Sequence, residues 1–387
     1  MVINNPTRSF IYFNKYSETT YNNLYEILNI DLVKNADLKA HESNISNFYL
    51  RPDNYREVIN GIYPIPPRTI WKFENNLFTN LNLSTVSLSY NSDFPDFISI
   101  LNRLSKVLIN KRIGVELSGG LDTSIVIGIL KHFGFNPFLV GVQSKKYEFR
   151  TESYIQNVFS NSTADSYLLD SSETLPFSNL LSCPIHSLPS ASSLGYMHAD
   201  KISDVCMENN INIVLSGMGF DTLLCENPLQ DNNSSLPNSW RSWALDDNWL
   251  NEYIYNERSI SYKSAAASQI IIRKIWSMRK KEGEDSKKWW GRNMFSDYLP
   301  NELVKYAYKT DNSGEFLEGL LKAKQEISRL FEVVQEVTGL YEFSQTSLNI
   351  IMNDIHLADD KKDKLLLARV SFANWIYGLV RDKILVH

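Results

Sequence analysis

The residues best suited to chemistry lie together in Leu117-Ser118-Gly119-Gly120-Leu121-Asp122-Thr123-Ser124. Glycines let a backbone approach an anion closely. The N–H groups that open a helix point at such an anion with the helix dipole behind them. Ser118, Thr123 and Ser124 add hydroxyl donors. Asp122 would repel a bare phosphate, so it makes sense with a magnesium ion bridging it to phosphate oxygens. The stretch predicts a pyrophosphate cradle between a strand and a helix. It lacks the Gly-Lys-Ser/Thr ending of the Walker A loop. The plainer alternative is an ordinary turn rich in Gly and Ser. A related stretch follows further on, Leu215-Ser216-Gly217-Met218-Gly219-Phe220-Asp221.

The elements around these turns can be read from hydrophobic spacing. Strands are expected over 114–117, 138–142, 166–169 and 211–215, and helices over 94–108, 123–133, 151–159 and 192–208. Short apolar strands alternating with helices imply an α/β fold, a parallel twisted sheet with helices on both faces. Ligands of such sheets bind beyond the carboxyl ends of the strands, so both turns would face the same ligand. Residues 1–95 read as a small β-rich region, with strands over 10–13, 48–50 and 69–73 and a helix over 21–33. From about 240 onward the chain reads as helical. Helical patterns cover 270–279 and 315–334, and Leu366, Val370, Ala373, Tyr377 and Val380 mark a last amphipathic helix.

At 387 residues, 43% of them hydrophobic, the chain can bury a real core. A net charge of −5 gives no basic excess for nucleic acid. The three cysteines, Cys183, Cys206 and Cys225, show no CxxC spacing and are expected as free thiols in a reducing compartment. No secretory signal and no membrane-length apolar run is evident, so the expectation is a soluble, cytoplasmic protein.

The first turn resembles the signature of the ATP pyrophosphatases. The order of the two Ser-Gly stretches resembles the asparagine synthetase family, which includes asparagine synthetase, β-lactam synthetase and lasso-peptide cyclases. The resemblance spans roughly residues 95–320. It is supported by the order of three weaker stretches: 141–153, 184–197, and Leu299-Pro300-Asn301-Glu302-Leu303 followed by Lys309. It implies the fold of the adenine nucleotide α-hydrolases and a two-step reaction. A carboxylate attacks the α-phosphorus of ATP, giving an acyl-adenylate and pyrophosphate, and an amine then displaces AMP. By this resemblance Leu117, Ser118, Gly119, Gly120, Asp122, Thr123, Ser124, Val142, Ser216 and Gly217 contact the nucleotide. Asp122 and Asp221 ligate Mg2+, and Lys309 stabilises charge on the phosphate and acyl oxygens. Lys305 competes with Lys309 for that role, and either could be a solvated lysine.

Two departures shape the expected function. Full asparagine synthetases open on a cysteine that serves a glutaminase domain. Here position 2 is Val2, and no cysteine precedes Cys183. Residues 1–95 then read as a truncated glutaminase-like region and 96–387 as the synthetase domain. In the second turn, Met218 stands where asparagine synthetase has a glutamate and β-lactam synthetase a tyrosine. Methionine cannot act as a base. Glu252, Tyr253 and Glu257 are the candidates by distance along the chain. The expectation is an ATP- and Mg2+-dependent ligase joining a carboxylate to an amine, on a peptide or other specialised substrate, in the manner of a lasso-type macrolactam cyclase. A precursor peptide or partner biosynthetic enzyme is the expected partner, with no nucleic acid and no membrane. The alternatives are an ammonia-dependent amidotransferase subunit and a catalytically degenerate nucleotide-binding scaffold.

Overall fold

The structure is a computed structural model. It describes residues 2–3, 11–14, 16–17, 19–21, 26, 28, 32–33, 35–46, 58–65, 70–74, 77–80, 106–144, 146, 151–161, 165–185, 189–218, 220, 249–264, 289–305, 313–354, 360–382 and 384. The N-terminal part holds β1 (Val2–Ile3), β2 (Ile11–Asn14), β3 (Thr19–Tyr21), α1 (Leu38–Ser46), β4 (Ile62–Ile65), β5 (Ile70–Glu74) and β6 (Leu77–Asn80). These strands form two antiparallel three-stranded sheets, ordered β1-β5-β6 and β3-β2-β4. Tyr21 therefore closes a strand rather than opening a helix, which corrects the start of the helix expected over 21–33; most of its other residues lie outside the described ones. The expected strand over 48–50 lies outside the described residues. Of the expected helix over 94–108 only the end is described, as the 3-10 turn Lys106–Leu108.

The central unit is β7 (Ile113–Glu116), α2 (Leu121–His132), β8 (Phe138–Gln143), α3 (Thr151–Asn161), β9 (Ser166–Asp170), α4 (Tyr196–Glu208), β10 (Ile213–Ser216), α5 (Trp249–Glu257) and β11 (Ser261–Ser264). Its strands form one five-stranded sheet in the order β11-β10-β7-β8-β9. Every pairing in it is parallel. A strand buried on both faces needs apolar residues on both, which is why β8 reads Phe-Leu-Val-Gly-Val-Gln with little alternation. Successive side chains leave opposite faces. Val115, Leu117 and Leu139 join Ile125, Leu130, Ile155 and Phe159 beneath α2 and α3. Val140 and Val214 instead join Ile202, Val205, Tyr255 and Tyr262 beneath α4 and α5.

One boundary and one element differ from the sequence reading for local reasons. The helix expected over 192–208 opens as the 3-10 turn Ala191–Gly195 before α4 begins. There the Ser190 hydroxyl accepts from the Ser192 N–H at 3.3 Å, and the Ser193 hydroxyl donates to the Ser190 carbonyl at 2.7 Å. Such side-chain bonds compete with the α-helical ladder. The strand β11 corrects the helical reading from about 240 onward: its Ser-Tyr-Lys-Ser carries one fully buried residue, Tyr262, too little to mark a strand in the sequence.

The C-terminal part is helical: α6 (Trp289–Met294), α7 (Asn301–Lys305), α8 (Ser313–Lys322), α9 (Lys324–Thr338), α10 (Gln345–Asp354) and α11 (Asp360–Arg381). The single helix expected over 315–334 is divided at Ala323. The Ala323 N–H still donates to the Gly319 carbonyl, so the division is a kink and not a stop. The expected helix over 270–279 lies outside the described residues. Residues from the two ends share a core: Val33, Val58, Ile59 and Ile62 pack with Leu330, Phe331, Val334, Leu366, Val370 and Ile376. Polar contacts cross the same seam. His41 meets Ser371 at 2.9 Å, and Arg369 donates to Glu42 at 3.4 Å. Among the described residues, no helix is long and apolar enough to cross a membrane.

Candidate active site

The strand order places the functional turns together. From β7 the chain builds outward through β8 to the edge at β9, then returns to the other side of β7 as β10. The sense of winding reverses between β7 and β10. A crevice opens at such a switch point beyond the carboxyl ends of the strands. Both Ser-Gly turns leave those two ends.

The turns touch through backbone. A Cβ built on Gly217 would stand 2.5 Å from the Asp122 carbonyl carbon and 2.6 Å from the Thr123 nitrogen. Only a residue without a side chain allows that approach. Gly119 is constrained in two ways: its φ is +79°, and a Cβ there would strike the Glu152 carbonyl oxygen of α3. The first turn is thus held between α3 and the second turn.

Within the first turn the hydroxyls divide their work. Ser118 is exposed, accepts from the Gly120 N–H at 3.2 Å and meets the Thr123 hydroxyl at 2.9 Å. Ser124 is fully buried, and its hydroxyl donates to the Gly120 carbonyl at 2.7 Å. It shapes the turn from behind. Gly120 is the N-cap of α2 and supplies no side-chain cap, and a Cβ there would meet only the Ser118 hydroxyl, at 3.4 Å. A helix N-terminus open to an anion, with an exposed hydroxyl beside it, fits a phosphate group.

Leu117 and Val142 take part through their carbonyls. Gln156, 2% exposed on α3, donates from Nε2 to both, each at 2.9 Å. Its amide ties the ends of β7 and β8 under the turn. Sequence reading passed over Gln156, since a lone glutamine on a helix carries no motif. Replacing it with leucine should lower stability by about 1–3 kcal/mol, because two carbonyls lose their donor. Urea melts would measure this, and an unchanged midpoint would contradict it.

The carboxylates are less uniform. Asp122 is half-buried in the first turn of α2, and its charge acts on the buried guanidinium of Arg292 from α6. Burial lowers the Arg292 pKa, and Asp122 opposes that shift. Arg292 also donates to the Leu303 carbonyl. Asp221 and Lys309 lie outside the described residues. Lys305 is exposed at the end of α7. For a divalent ion the described residues therefore offer Asp122 alone from the expected pair. Among them no three His, Cys, Asp or Glu side chains gather as a metal site.

Glu252 pairs with Lys263 of β11 at 3.4 Å, while Lys263 also donates to the Tyr262 carbonyl at 2.7 Å. The Met218 N–H donates to the Ser216 hydroxyl at 3.0 Å, and its carbonyl accepts from Ser264 at 2.5 Å. The second turn is thereby anchored to β11, the strand that carries the partner of Glu252. Arg258 fastens α5 to α4 through Asp204 and Asp200, each at 2.7 Å. Cys183 and Cys206 are buried free thiols, and burial pushes the Cys183 pKa up to about 12. Neither is suited to nucleophilic work at neutral pH. Compared with models of known protein families and with curated proteins, the chain gives no match.

Proposed function

We propose that this chain is an ATP-dependent carbon–nitrogen ligase of the asparagine synthetase type. It would activate a substrate carboxylate with release of pyrophosphate and pass the acyl group to an amine on a peptide or specialised small molecule. The observation that supports this reading is the contact of the Gly217 backbone with the Asp122–Thr123 backbone at the reversal of winding. Two turns rich in donors, locked together at the carboxyl ends of β7 and β10, can enclose a polyphosphate from both sides. In this role the opening of α2 and the Ser118 hydroxyl hold the pyrophosphate end. Ser124, Gln156 and Gly119 keep the turn in shape, and Asp122 with Arg292 sets the local charge. A bound Mg2+ would supply charge neutralisation on the leaving group.

The test is to follow the phosphorus products of ATP with candidate carboxylates and amines. Pyrophosphate and AMP are expected, and Asp122→Asn should lower turnover by at least about 10-fold. Orthophosphate and ADP as the products would overturn the reading, as would an Asp122→Asn protein with unchanged nucleotide affinity and turnover.

Met218, standing where the family's relatives carry a glutamate or a tyrosine, favours a second reading, a nucleotide-binding scaffold without chemistry. ATP binding with no product from any carboxylate would select it.

A further inference from the structure

Glu116 has no part in the phosphate reading, yet it ends the central strand immediately before Leu117. Val115 and Leu117 point toward α2. By alternation Glu116 leaves the sheet on the opposite face, beneath α4 and α5. There the Tyr255 hydroxyl donates to one of its oxygens at 3.1 Å and the Tyr262 hydroxyl to the other at 3.2 Å. Both tyrosines are fully buried, with ring centroids 4.8 Å apart. Burial, and then the Glu116 charge, hold their pKa values far above the ordinary phenol range, so both remain donors.

The arrangement reaches the second turn. Tyr262 accepts from the Asn251 amide at 3.2 Å and interacts with the Ser216 hydroxyl. Ser216 in turn holds the Met218 N–H. His198 of α4 is exposed and lies within reach of the Glu116 charge.

Glu116 itself is only half-buried, and among the described residues no ion pair reaches it. A carboxylate offers about four lone-pair sites, and two phenols leave room for further donors. Half-buried carboxylates are stabilised by a cation, and one already oriented by two rigid donors is prepared to receive it. The ligase reading requires an amine close to the two turns, and amines arrive as ammonium ions at neutral pH.

Resting on that reading, we propose that Glu116, oriented by Tyr255 and Tyr262, binds the primary ammonium group of the acceptor substrate. Glu116 is then the binding residue, and the two tyrosines are positioning residues that fix its oxygens.

The test titrates the intact protein with ammonium chloride, glycinamide and Nα-acetyl-lysinamide at constant ionic strength, with butan-1-ol as a neutral control. These probes represent free ammonia, a peptide N-terminus and a lysine side chain. Binding is read by chemical-shift or thermal-shift titration, and ATP affinity is measured in parallel by calorimetry. Saturable binding of at least one cation is expected, with no response to the alcohol. Glu116→Gln should weaken it by roughly tenfold or more. Tyr262→Phe should weaken it less and provides the test if the first variant fails to fold. ATP affinity should stay unchanged in Glu116→Gln. Cation binding equal in wild type and variants would overturn the proposal. So would an equal response to the alcohol, or a parallel loss of ATP affinity in Glu116→Gln. Cation binding through Glu116 in a protein that does not bind ATP would keep the amine site and defeat the ligase reading instead.

Discussion

An alanine at Gly217 should cut nucleotide turnover by about 100-fold while the protein still folds. The added methyl carbon would stand 2.5 Å from the Asp122 carbonyl carbon and 2.6 Å from the Thr123 nitrogen. These are backbone atoms at the start of α2, so no flexible side chain can swing aside. The two turns must separate by something on the order of 1 Å, enough to spoil alignment of a bound polyphosphate. Overpacking of this kind costs about 1–3 kcal/mol, which a protein of this size can survive. Gly195→Ala is the control, since a Cβ there meets nothing within 4 Å. Calorimetry with ATP, pyrophosphate release and urea melts would follow both variants. Unchanged binding and turnover in Gly217→Ala would mean that the contact between the turns has no functional role.

The second large effect concerns stability and pH, and it lies far from the turns. His41 is 2% exposed between α1 and α11, bonded to Ser371 and near the ring of Phe372. Burial lowers its pKa from 6.5 to about 3. The native imidazole thus refuses a proton that the unfolded chain accepts below pH 6.5. The stability present above that pH should fall as pH drops from 6.5 toward 3, at about 1.4 kcal/mol per unit, and then level off. Over the whole window this amounts to roughly 5 kcal/mol. Glu42, Arg369, Glu342 and Lys39 also titrate or carry charge at this seam. The readout is therefore the difference between wild type and His41→Gln, measured by denaturant melts at successive pH values. A difference that stays constant from pH 7 to pH 4 would refute the assignment.

The legible parts of this chain were those in which a pattern is local. The apolar runs of β7, β8 and β10 and the spacing of Ile125, Val126 and Leu130 identify a layered α/β unit before any coordinate is known. The two Ser-Gly turns announce themselves by composition. Other features depend on partners remote in sequence. Tyr262 marks β11 as a strand only once α5 and Glu116 are seen around it. Gln156 matters because two carbonyls end above it, and Arg292 because α6 returns to Asp122. A glutamate within Val115-Glu116-Leu117 gives no hint that two phenols from later in the chain will grip it. The 3-10 opening before α4 arises from short-range competition among hydrogen bonds, which hydrophobic periodicity does not register.

The seam between His41 and Ser371 joins residues 330 positions apart. During synthesis α1 leaves the ribosome long before α11 exists, so its apolar side must wait for a partner emerging at about 5–20 residues per second. Over that interval the nascent chain is exposed to chaperones and proteases. The parallel sheet can assemble earlier, from segments that follow one another closely. A fragment ending after the sheet would accordingly carry both turns and still leave its opening segments without the last helix that encloses them.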